Sequence, residues 1–389
     1  MSDNISKMPQ SRRTLTRRVL LLVLVIALVL LAVAAYLFRD SLSLSAIRRW
    51  FRQLDAGGND TAGSFIFDAH STNRYAAFQG GLAVASATGL SVYDEDGEQL
   101  ALLQQSLTAP VVCAGGSTVL CYDAGGYALK TVHKSRGTLL DVSAARPILD
   151  ADITSDDWVC YSTQETGYKS VLYVCNPNGT TTYRWLSSSQ YLPLCTLSSG
   201  GTYLAAVALG QSDGIFESRL EVFRTDSEEV YRSFSLGSEL IYDLYFSKSG
   251  GVCLVGESSV MWLRMDGSLA GRYTYDGTYL KDFDFGGDGF LMLSLNKYKA
   301  GNRCTVVTVD ESGTTLGSAD VAEELMDVAA AGEYVAVLTA SRLTVYDRTM
   351  RQLSQTENTI GATNLVLRSD GSVILLADGL GAIEALDKS

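Results

Sequence analysis

Two histidines, five prolines and four tryptophans are all that the 389 residues contain. With only His70 and His133 available, a histidine-built metal centre is excluded and general bases are few. The seven cysteines form no Cys-x-x-Cys pair and no Cys/His set at zinc spacing, which excludes the common zinc modules. A Gly-x-Ser-x-Gly nucleophile elbow and a phosphate-binding glycine loop are both missing. Gly115-Gly116, Gly125-Gly126 and Gly286-Gly287 read as hairpin turns instead. Cations are concentrated at the start of the chain. Residues 1–55 hold nine Lys/Arg against three Asp, a net of +6, whereas the remaining 22 basic and 40 acidic residues give −18. So acidic a body repels nucleic acid and anionic lipid, and attracts cations and basic surfaces.

Strand and turn formers are abundant: 47% of the chain is hydrophobic, with 36 Gly and 20 Tyr. They are arranged in copies of one unit. Leu90-Ser91-Val92-Tyr93-Asp94-Glu95-Asp96-Gly97 is an alternating apolar run entering an Asp/Gly turn, with a second apolar run behind it. Similar units occupy residues 172–179, 261–267 and 306–313, with looser copies at 220–226 and 343–348. The turns fall near positions 96, 136, 178, 226, 266, 312 and 348, a period of 36 to 48 residues. Short strands repeating every 40 to 50 residues or so are the signature of a β-propeller blade.

Ahead of the repeats the chain reads differently. Residues 1–18 are polar and basic, and are expected as a cytoplasmic tail. Residues 19–38 carry no charge, and at about 1.5 Å per residue they cover the roughly 30 Å hydrocarbon core as one transmembrane helix. Ala32-Val33-Ala34 resembles a signal-peptide cleavage site, but the apolar run continues through Phe38, which favours an uncleaved signal anchor. A short tail before the span and a large domain after it predict a single-pass protein of the cell membrane, amino terminus inside and carboxyl domain outside. Residues 39–63 combine a juxtamembrane segment with a Gly-rich tether. In that segment Leu44, Ile47, Trp50, Phe51 and Leu54 form one apolar helical face.

Residues 64–389 are read as an all-β domain, an eight-bladed β-propeller with seven blades as the alternative. Blades are placed at 74–107, 108–147, 148–190, 191–236, 237–278, 279–322, 323–358 and 359–387. The last shows only three strands, and its missing outer strand is assigned to 64–69, so that the two ends of the domain close the ring. A short helical candidate lies at 321–325. Buried free thiols are expected, although Cys160 with Cys175, and Cys113 with Cys121, sit on strands placed side by side where a disulfide could form. The Arg17-Arg18-flanked span, the tether and the repeats at 90–97 and 343–348 together resemble an uncharacterised family of membrane-anchored propellers from Gram-positive bacteria. The repeats are similar to WD40-like and quinoprotein-like blades in general. That resemblance implies a fold and a location and brings no activity. The Gly-His and Trp-Asp dipeptides of WD40 blades are missing, as are regularly placed docking tryptophans.

The first strand of a propeller blade lines the central channel. Here Asp152, Asp243, Asp282 and Asp327 each precede an apolar residue at that place, Asn364 holds the equivalent position, and so does Arg74 in the first blade. These six are the candidate ligand-binding ring at the channel mouth. Gathered carboxylates there would raise one another's pKa or recruit a cation, and a basic peptide segment or a Ca²⁺ ion would suit them. The alternative is structural: an Asp at a strand start bonds loop N–H groups and ties blades together. No catalytic or metal-binding residue is assigned and no cofactor beyond that Ca²⁺ is expected. The sequence therefore predicts a non-enzymatic binding or scaffolding module for a protein or cell-envelope partner, with no nucleic-acid role. A polysaccharide hydrolase or lyase using channel carboxylates is the alternative.

Overall fold

Residues 90–93 and their copies recur because each is the third strand of a four-stranded antiparallel sheet. The computed structural model describes residues 64–299, 303–357, 359 and 361–386. The expected tail, span, juxtamembrane helix and tether lie outside these. Among the described residues no helix is long and apolar enough to cross a membrane. Eight sheets of four strands follow one another, which settles eight blades over seven. They cover residues 74–104, 110–143, 150–187, 191–237, 241–274, 279–321, 325–356 and 364–384, the last completed by the strand Ser64–Ile66. Residues 321–325 hold no helix; they join the outer strand of the sixth blade to the inner strand of the seventh.

Stacking of blade on blade explains the strand patterns. The second strand of a blade is covered on both sides, so Gly81–Ser86, Thr118–Asp123 and Val252–Gly256 are buried at every position. Outer strands such as Gln99–Gln104 touch a neighbour with one face only and return to alternation. Each of the eight core clusters draws its side chains from two adjacent blades, one cluster to each seam. The hydrophobic effect thus acts between blades, and a single blade has no core of its own.

The Asp/Gly turns of the repeat are also seam contacts. Asn176 Oδ1 accepts the N–H groups of Asn178 and Thr180 (3.0 and 3.1 Å), and Asp310 Oδ1 those of Ser312 and Thr314 (2.9 and 3.0 Å). Gly179 closes its turn at φ 77°, and a Cβ there would stand 2.1 Å from the Leu139 carbonyl oxygen of the preceding blade. Both the conformation and the contact require glycine.

Ring closure rests on three residues. Ser64, Phe65 and Ile66 pair with Ala382, Gly381 and Leu380. Phe65 is 0% exposed and fills the seam between Ile374 and Leu376 of the eighth blade and Leu82 and Val84 of the first. Tyr93 crosses that seam, donating its hydroxyl to the Ile66 carbonyl at 2.7 Å.

All seven cysteines are free, so neither disulfide forms. Cys160 lies opposite Val174, one residue away from Cys175, and Cys113 lies opposite Leu120, one residue from Cys121. A one-residue offset points the two side chains to opposite faces of the sheet. Cys160 meets Cys195 instead, across the seam between the third and fourth blades.

Phe65→Ala is expected to cost about 3–5 kcal/mol, measured by denaturant unfolding. Ile66→Ala, at a position 48% exposed, should cost within about 1 kcal/mol. Equal effects would remove ring closure from its place in the stability.

Candidate functional site

The inner strands all begin on one face of the ring, called here the front. Along these strands the structure places the carboxylates in two groups, Asp284 standing at the far end of its strand Tyr279–Asp284. Asp150 and Asp152 of the third blade and Asp243 of the fifth are close enough to raise one another's charge cost. Asp282, Asp284 and Asp327 form the second group, and Asn364 lies against Asp327. Asp150 and Asp284 were not singled out from sequence. The signal was there: Asp150-x-Asp152 and Asp282-x-Asp284 have the two-residue spacing that puts both side chains on one face of a strand. Arg74 joins neither group. It is exposed, donates Nη1 to the Asn73 carbonyl (3.0 Å), and lines a separate cleft with His70 and Asn364.

Most of these acids are engaged by backbone. Asp150 accepts the Cys195 N–H of the fourth blade (2.8 Å) and the Tyr122 hydroxyl of the second (3.2 Å). Asp152 accepts the Ile153 N–H (2.8 Å) and the Thr196 hydroxyl of the fourth blade (2.7 Å). Asp284 takes the Ala330 N–H of the seventh blade (2.9 Å), and Asp327 the Leu365 N–H of the eighth (2.8 Å). These four tie blades together. Asp243 and Asp282 differ: each accepts the N–H of its own next residue at 2.8 Å, and among the described residues neither has a donor from a neighbouring blade.

Burial raises all six pKa values. It pushes the Asp243 carboxyl up to about 7, with the charges of Asp150 and Asp152 adding to the effect. Asp150, Asp284 and Asp327 rise to about 6 for the same first reason, partly offset by their N–H donors. Asp152 and Asp282 are also raised by burial. Among the described residues no three His, Cys, Asp or Glu side chains converge as a metal site.

Around this mouth lie the exposed aromatics. Tyr127, Tyr168, Tyr191, Phe216, Tyr242, Tyr279 and Tyr298 are the seven large aromatic side chains exposed among the described residues. Each sits at the start of an inner strand, in the turn between second and third strands, or in the first two residues of a third strand (Tyr168 and Phe216), and all these places open on the front. The back face has a cleft of about 470 Å³ between the fifth and sixth blades, lined by Trp262, Arg264, Met265 and Glu311. His133 also lies on the back, where Nδ1 accepts the N–H groups of Ser135 and Arg136 (3.1 and 3.2 Å) and closes a turn. Burial and the Arg136 charge lower its pKa.

A closed ring of eight four-stranded blades around an acid-lined channel defines a β-propeller. The chain belongs to the family of unknown function DUF5711, which matches residues 61–375. No curated protein matches its sequence. In structure it is similar to the Dos1 propeller, with 13% identity over 86% of this chain and 97% of that one and a TM-score of 0.56. It is more distantly similar to the Neurospora crassa Pan2 WD40 domain, with 12% identity over 85% and 99% of the two chains and a TM-score of 0.45. Apo AztD from Citrobacter koseri shares 11% identity over 73% and 85%, with a TM-score of 0.48. At 13% identity the likeness to the Dos1 propeller shows the fold alone.

The sign of the pH dependence follows from the channel acids. Their folded pKa values exceed the unfolded value, so the folded state holds more protons between about pH 4 and 7, and stability falls as pH rises through that window. Below about pH 4 the trend reverses, because Asp310, Asp347 and Asp370 are held below the usual carboxylate range by local donors. The melting temperature should therefore peak near about pH 5. Asp243→Asn should flatten the loss toward neutral pH by about 1–3 kcal/mol. An unchanged profile in that variant would show the Asp243 carboxyl to be ordinary.

Proposed function

We propose that this propeller is a membrane-anchored, extracytoplasmic binding module whose front face holds a protein or cell-envelope partner. The observation that carries the reading is the gathering of all seven exposed aromatics of the described residues onto one face, around the carboxylates least engaged by the fold. Tyrosine offers a large contact area at low cost in side-chain entropy and is enriched where proteins recognise one another. On this face the rings already accept cations. Lys169 Nζ lies 5.1 Å from the Tyr191 ring centre and Lys297 Nζ 5.7 Å from that of Tyr298. A partner segment rich in Lys or Arg would meet the same rings and the free oxygens of Asp243 and Asp282, in a domain of strongly negative charge. The anchor is residues 19–38, and the domain lies outside the cell. Carboxylates tied to backbone N–H groups are poorly placed for cleaving glycans, which favours binding over catalysis.

Crosslinking in intact cells, read by mass spectrometry, tests this. Tyr242→Ala with Tyr279→Ala should lose the captured partner about tenfold while keeping the wild-type melting temperature. Arg264→Ala, on the back, should keep it. Loss from the back-face variant alone would move the site there. Protease added to the same cells should digest the propeller; protection of the domain until lysis would refute the topology.

A further inference from the structure

The front-face cleft at the seam between the eighth and first blades has chemistry that the channel mouth lacks. Its volume is about 390 Å³, within the range of small-molecule sites. Arg74 and Asp378 both line it. Both are exposed, and neither has an ion-pair partner among the described residues, although the domain is otherwise rich in carboxylates. Both charges reach the Tyr75 hydroxyl and act on it in opposite senses, and the charge of the neighbouring channel acid Asp327 acts on the side of Asp378. A cation and an anion that share a cleft without pairing leave a gap for a molecule carrying the opposite charges in the opposite order.

The walls are fixed. Asn73 donates its amide to the Asp68 carbonyl at 2.7 Å, its backbone N–H bonds the His70 carbonyl at 3.1 Å, and Phe67 N–H bonds the Gly379 carbonyl at 3.0 Å. Asn73 is only 5% exposed, and its side chain lies against the Tyr75 hydroxyl. Small residues, Ala69, Ala377 and Gly379, keep the cleft open.

We infer that this cleft binds a small zwitterion, a free amino acid or a dipeptide, with its carboxylate on Arg74 and its ammonium on Asp378. The guanidinium matches a carboxylate with two parallel N–H donors, and the carboxylate of Asp378 matches a primary ammonium. The cleft shares the front with the exposed aromatics, but none of the seven lines it.

Calorimetric titration of the full chain with glycine and with dialanine tests the inference. At least one of the two should bind at millimolar concentration or tighter, and which one does distinguishes an amino acid from a peptide. N-acetyl-dialanine and dialanine amide, each lacking one charge, should bind about tenfold more weakly or not at all. Arg74→Gln and Asp378→Asn should each weaken binding about tenfold at unchanged melting temperature. No heat from either zwitterion would overturn the inference, as would capped peptides binding equally well or an Arg74→Gln variant that binds like the wild type. Partner capture by the tyrosine face should be untouched in both variants, so the two readings fail separately.

Discussion

Everything in this ring depends on a strand of three residues. Eight blades share eight seams, each seam holds one core cluster, and the last seam exists only because Ser64–Ile66 comes back to complete the eighth sheet. Remove that pairing and the eighth sheet loses its outer strand while the closing core loses Phe65. The first and eighth blades then have an unpaired side. Since no blade has an independent core, one open seam weakens a structure whose stability is shared around the circle.

The channel presents the opposite problem. Burying carboxylates in the channel is costly, and the same burial raises their pKa values. For Asp150, Asp152, Asp284 and Asp327 the cost is offset by donors from the next blade, so the same group that suffers burial also aligns its neighbour. Asp243 and Asp282 bring no such alignment. A group that weakens the fold and ties nothing together is where a binding role is most economical to suppose.

The architecture was legible because the blade repeats one physical device. An Asp or Asn at the end of the third strand fixes a turn and the turn fixes the hairpin: residues 94, 176, 310 and 347 each accept the N–H groups two and four residues on, and Asp266 accepts that of Ser268. The channel acids could be found for the same reason, as a position repeated in every inner strand. Three things escaped. Asp150 and Asp284 were hidden because only the acid next to the apolar pair was followed, and not the one two residues away. Arg74 was assigned to the ring by strand position, but its long side chain carries the charge outward into the seam cleft. The front-face tyrosines carry no sequence signal, because a tyrosine at a strand start looks the same whether it packs inward, as Tyr203 does, or stands in solvent, as Tyr191 does. Exposure is decided by the neighbouring blade.

The closing strand has a geometric consequence. As an outer strand it runs from back to front, so the chain arrives at Ser64 on the back rim, where the Gly97 turn leaves no room beside the Ser64 carbonyl for even a methyl group. The ring is therefore closed from the rim opposite its exposed aromatics, so that the first described residue and the face those side chains occupy lie a blade height apart.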